Sequence, residues 1–169
     1  MGDWLAGNWG SVASVVGLLL SGWAAIAATF ARRAADEAKK AVEIRSLSSA
    51  LKNCGDDVSS LELYFDNKSW KPAEAVISRT LRELSYITSR WKDHLDSNGA
   101  ANSSLASAQL DTLQNELRKF RSRAPKESEL RGIYKVVSRV TALLATELGK
   151  SEAKIEVVTV ARKTGGKHA

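Results

Sequence analysis

Between Leu5 and Ala31 the chain carries no charged side chain. Within that interval the run "GSVASVVGLLLSGWAAIAATFA", Gly10 to Ala31, covers 22 residues. As a helix it would measure roughly 33 Å at 1.5 Å per residue, about the thickness of a bilayer's hydrocarbon core. A helix in a globular core seldom stays uncharged on every face for so long. The stretch is therefore expected to be a transmembrane helix. Trp4 and Trp9 precede it and Phe30 stands near its end, where amphipathic rings favour the membrane interface. Ala25-Ile26-Ala27 has the small-x-small form of an export cleavage site. No basic residue precedes the run, however, and it exceeds the usual signal core, so a retained span is the expectation.

Charge sets the expected orientation. All 25 Lys and Arg residues lie from Arg32 onward, and Asp3 is the only acid before that point. Arg32, Arg33, Lys39, Lys40 and Arg45 follow the span and none precedes it, so the positive-inside bias predicts an outside N-terminus and a cytoplasmic C-terminal part. This implies a single-pass protein of a bacterial inner membrane. The formal net charge of +6 favours anionic partners: nucleic acid, a nucleotide, an acidic protein or lipid headgroups. Within the run, Ala13, Gly17, Ser21, Ala25 and Thr29 recur every four residues. Such a small-residue row lets helices approach closely and predicts a homo-oligomer.

Beyond the run, helix formers dominate and two prolines interrupt them, which predicts an all-α chain. Ala31, Ala34, Ala38, Ala41, Ile44, Leu47, Leu51, Cys54, Val58, Leu61 and Phe65 fall three or four apart. That spacing makes one apolar stripe along a stem helix, in which Gly55 is either a tolerated weak point or a turn with Asp56 capping a new helix; one long stem with a kink is the favoured reading. "DNKSWKP" reads as a loop with Ser69 as a cap and Pro72 in the first turn of the next helix. That helix is expected over 72–96, stopped at "DSNGAANSS" by Gly99 in a left-handed conformation. A third is expected over 104–123, through Leu105, Leu110, Leu113, Leu117 and Phe120. A fourth is expected over 126–148, closed by Gly149. The β-branched stretch Ile155 to Val160 has no strand to pair with, so a short fraying helix is expected there. The predicted organisation is an N-terminal tip and transmembrane helix (1–31), a cytoplasmic helical stem and bundle of about four helices (32–150), and a basic tail (151–169). Short connections would make the helices antiparallel, placing residues 118–126 far from the membrane and Arg162, Lys163 and Lys167 nearer to it.

Few chemistries fit this composition. Two distant histidines and the single Cys54 offer no metal-ligand spacing, and a lone cysteine cannot form an internal disulfide. No phosphate-cradling glycine loop or nucleophile elbow is present, so no cofactor is expected. The cluster "RKFRSRAPK" gathers Arg118, Lys119, Arg121, Arg123 and Lys126 around Phe120 and Pro125 without an acid among them. It is the expected site for an anionic ligand or partner, although cations at a helix C-terminus also complement the helix dipole.

One other pattern has catalytic residue types. "RWKDH" sets Arg90 and His94 four apart, on one face of a helix if the helix continues. An Arg to hold phosphate and a His to move a proton suit RNA cleavage. In this motif the chain faintly resembles the HEPN ribonucleases, small helical bundles with an Arg and a His on one helix, at a closer spacing than is usual there. The resemblance implies a membrane-tethered ribonuclease with Arg90 on phosphate and His94 as acid–base group. In layout the chain is also similar to small membrane-anchored effectors and accessory proteins of bacterial antiviral systems, CRISPR-associated ones included. The leading expectation is a membrane-anchored, oligomeric, non-enzymatic protein whose bundle binds a partner or anionic ligand, as in a defence effector acting on the membrane. The alternatives are the HEPN-like ribonuclease and a scaffold that localises another enzyme.

Overall fold

The computed structural model describes the backbone of residues 2–165 and the side chains of residues 14 and 16–157. The described residues form four helices: α1 (Gly2–Asp66), α2 (Trp70–Arg90), α3 (Ser97–Lys119) and α4 (Glu127–Gly165). They divide between two compact units, Met1–Lys40 and Ala41–Ala169.

In the second unit the stripe along α1 becomes a core wall from Ile44 onward, with Leu47, Leu51, Cys54, Val58, Leu61 and Phe65 all buried. Ala73, Ile77, Leu84 and Ile87 of α2 meet it, as do Leu110, Leu113 and Leu117 of α3 and Ile133, Val137, Val140 and Leu144 of α4. Each larger side chain removed from water contributes about 1.5–3 kcal/mol. Connections of three to seven residues reverse the chain between helices, so the unit is a four-helix bundle. Gly55 does not break α1, and no side chain stands within 4 Å of the Cβ it lacks. The loop after Asp66 forms where "DNKSWKP" placed it. Lys68 takes a left-handed φ of 53° there, and Ser69 occupies the cap position without a side-chain cap bond.

Several boundaries differ from expectation. Helix α2 stops at Arg90 because Trp91, 6% exposed, turns into the core and its N–H bonds the Ile87 carbonyl. Helix α3 then starts at Ser97. Asp96 caps it by accepting the Gly99 N–H at 2.5 Å, so Gly99 lies in the first helical turn and is no left-handed stop. The same helix ends at Lys119, and Leu105 is 47% exposed because Ser103 and Ala106 face the core instead. Helix α4 passes through the exposed Gly149 to Gly165, carrying Ile155 and Glu156 with it. Lys167 falls outside the described residues, and the side chains of Arg162 and Lys163 fall outside the described side chains.

The first unit requires the main correction. Among the described residues no helix is long and apolar enough to cross a membrane. The expected transmembrane helix, the inner-membrane location and the orientation drawn from it are therefore not upheld. The composition of the stretch from Val16 to Ala31, 16 residues, is consistent with this. Nine of those residues are Gly, Ala, Ser or Thr, which add little apolar surface. The side chains of Trp4, Trp9 and Ala13 lie outside the described ones.

Candidate functional site

Two loops meet at one end of the bundle, the α1–α2 connection and the α3–α4 connection. Tyr64 and Phe65 anchor the first through their carbonyls, which accept from Ser69 N–H at 2.8 Å and Lys68 N–H at 3.0 Å. The second begins at Phe120, whose N–H bonds the Leu117 carbonyl at 3.0 Å, and ends at Lys126, whose carbonyl accepts from Leu130 N–H at 3.0 Å. Four rings converge between the loops. Phe65 stacks on Trp70 at 6.1 Å and meets Tyr134 edge-on at 5.9 Å, and Trp70 meets Phe120 at 5.5 Å. The hydroxyl of Tyr134 donates to Asp66, which with partial burial pushes the phenol up to about 12.

Beside these rings opens a cleft of about 670 Å³, bounded by Trp70, Phe120, Pro125, Leu130 and Tyr134 and rimmed by Lys68, Arg121 and Arg123. That volume falls within the range of small-molecule sites, roughly 300–1,000 Å³. Arg123 also lies over the Phe120 ring, 5.5 Å from its centroid.

The basic cluster thus sits at this end, and α2 and α4 bring acids to it. Glu74 is shared by Arg118, at 3.1 Å, and Arg121. Partial burial raises the Glu74 carboxyl, but the two guanidinium groups outweigh it and hold the group below the usual range. Arg123 grips Glu129 with two bonds of 2.7 and 2.5 Å. With the Lys126 N–H at 2.8 Å, that brings the Glu129 carboxyl down to about 2. Lys119 pairs with Glu116 at 2.6 Å. The five predicted cations are brought together, but four already hold a carboxylate. A guanidinium has five N–H donors, so Arg121, which gives one to Glu74, keeps others for a ligand. Lys68, which sequence reasoning passed over, lines the cleft with no ion-pair partner among the described residues.

At the opposite end, "RWKDH" is not a helical face. Helix α2 ends at Arg90, whose guanidinium lies 5.7 Å from the Tyr86 ring centroid and 5.6 Å from that of Trp91. His94 lies in the following turn, its Nε2 2.9 Å from Glu43 Oε2 and its carbonyl accepting from Lys154 at 2.8 Å. The two side chains engage different partners, Arg90 the Tyr86 and Trp91 rings and His94 the Glu43 carboxylate. Beside this turn Glu147, 4% exposed, accepts from Asn102 at 2.8 Å and Lys150 at 2.7 Å. It was missed because the apolar spacing on α4 pointed to Leu148 instead. A second cleft of about 610 Å³ opens beside Asp57, Arg79 and Glu83, with Cys54 in its floor.

In the first unit the small-residue row is exposed from Gly17 to Thr29, while the side chain of Ala13 is outside the described ones. Ser21 and Thr29 spend their hydroxyl donors on the Gly17 and Ile26 carbonyls, at 2.8 and 2.7 Å. Val16, Leu19, Leu20, Trp23, Ile26 and Phe30 are 48–75% exposed. At about 100° per residue they share one face, with the small row opposite. Among the described residues no group of His, Cys, Asp and Glu could hold a metal ion. No family model, no curated protein and no solved structure matches this chain.

Proposed function

We propose that the chain is a self-assembling helical binding protein rather than a catalyst. Its N-terminal helical segment joins copies, and its bundle engages an anionic partner at the end built from residues 65–74 and 118–134. The observation that carries this reading is the uncovered apolar seam Val16, Leu19, Leu20, Trp23, Ile26 and Phe30. Its exposed side chains amount to roughly 700–900 Å², beyond the few hundred Å² a monomer usually leaves open and close to the ~800 Å² per partner of a specific interface. The opposite face is the small-residue row, with Leu18 the one large side chain projecting from it, so bulky side chains of one copy have a mostly flat helix surface to meet on the next. That is a head-to-tail contact, which builds rings or filaments rather than stopping at a pair.

The test is mass in solution by sedimentation or light scattering. The whole chain is expected to exceed a monomer, and Trp23→Ser with Ile26→Ser to shift it toward one. Gly17→Leu is informative because nothing lies within 4 Å of the Cβ it would add. It leaves the protomer intact, so any loss of assembly is intermolecular. A monomeric parent chain at tens of micromolar would end this reading.

A further inference from the structure

We infer that the cleft between the α1–α2 and α3–α4 loops binds a mononucleotide, its base against Trp70 and its phosphate on Arg121 and Lys68. This deepens the anionic-partner part of the proposed function and rests on it. Three observations converge. The cleft, at about 670 Å³, suits a small molecule, and four aromatic rings stand beside Pro125 and Leu130 on its apolar side. Trp70 is half-buried, with Phe65 stacked against one face and Phe120 set at an angle to the ring, so its position is fixed before any ligand arrives and one face is left for a base. A flat base stacking on such a ring gains about 1–3 kcal/mol. The rim is cationic: Lys68, Arg121 and Arg123 stand against Asp66, whose carboxylate already accepts from Tyr134.

The same geometry argues against larger anions. A polynucleotide needs a track of uncommitted cations along its backbone. Here Arg118, Lys119, Arg121 and Arg123 are paired with Glu74, Glu116 and Glu129, so they make no such track, and Lys68 is the rim cation without a carboxylate partner among the described residues. An acidic peptide would satisfy the rim but has no flat ring for Trp70.

Isothermal titration of the whole chain with adenosine monophosphate tests this, with adenosine, inorganic phosphate, a single-stranded oligonucleotide and an acidic peptide as parallel probes. Saturable binding of the mononucleotide is expected. Adenosine and phosphate should each bind at least about tenfold more weakly, because each supplies one half of the recognition. Arg121→Gln should weaken the mononucleotide about tenfold and leave adenosine unchanged. Lys68→Asn should weaken it several-fold without unfolding the chain, because Asn tolerates the left-handed backbone found there. Absence of saturable binding at millimolar nucleotide overturns the proposal. So does affinity unchanged in both variants, or tighter binding of the oligonucleotide or the peptide. Particle mass measured on the same samples separates the two readings: nucleotide binding with a monomeric chain removes only the assembly, and assembly without nucleotide binding removes only this site.

Discussion

Gly99 shows how a single hydrogen atom can be a requirement. A Cβ at this position would stand 2.6 Å from Glu147 Oε2 and 3.0 Å from Asp96 Oδ1. Neither neighbour yields freely, since Glu147 is held by Asn102 and Lys150, and Asp96 caps α3. Gly99→Ala should therefore cost about 1–3 kcal/mol by denaturant unfolding, the usual penalty for overpacking. A neutral result would show that Glu147 moves aside. Glu129 carries a pH dependence of definite sign. Its carboxyl is depressed to about 2 in the fold by Arg123 and the Lys126 N–H. Its contribution is then complete above the unfolded carboxylate range and is lost as pH falls through that range toward 2. Unfolding midpoints between pH 5 and 2 should fall less steeply in Glu129→Gln than in the parent. Equal slopes would contradict the pairing.

At the scale of the helix, glycine inside a regular element has the opposite meaning. Gly149 is exposed within α4 and nothing lies within 4 Å of its missing Cβ. Gly149→Ala should raise stability by about 0.5–1 kcal/mol, checked by thermal or urea unfolding. The core faces of the helices were legible in the sequence because they rest on spacing: Ile44 to Phe65 and Ile133 to Leu144 repeat every three or four residues. The turn at 91–96 was not, because no breaker residue marks it; Trp91 entering the core ends α2, and that is a tertiary event. Gly99 misled for the same reason, since a glycine required by side-chain crowding looks in sequence like one required by a turn. The N-terminal run misled in another way, since absence of charge was counted where apolar surface mattered. The cations of the candidate site were visible as a cluster, but their carboxylate partners were not. Glu74 lies more than forty residues before Arg118, and only the fold joins them.

For the molecule as a whole, the buried apolar residues among the described ones run from Ile44 to Leu144, all inside the second unit. A chain beginning at Ala41 should therefore unfold cooperatively, within about 0.5 kcal/mol of the parent, while losing any assembly the N-terminal segment supports. Circular dichroism on urea titration checks the first part, and noncooperative unfolding would refute it. Cys54 has a consequence of another kind. It is the chain's single cysteine, 1% exposed, with its thiol pushed up to about 12 by burial and by the nearby charges of Glu83 and Asp57. Folded protein at pH 8 should consume no Ellman reagent, and unfolded protein one equivalent. A cysteine placed at Lys68 or Lys119 would then be the sole reactive handle on the native molecule. The bundle carries a blank background for spectroscopy, on which a dye or spin label can be written wherever a distance is wanted.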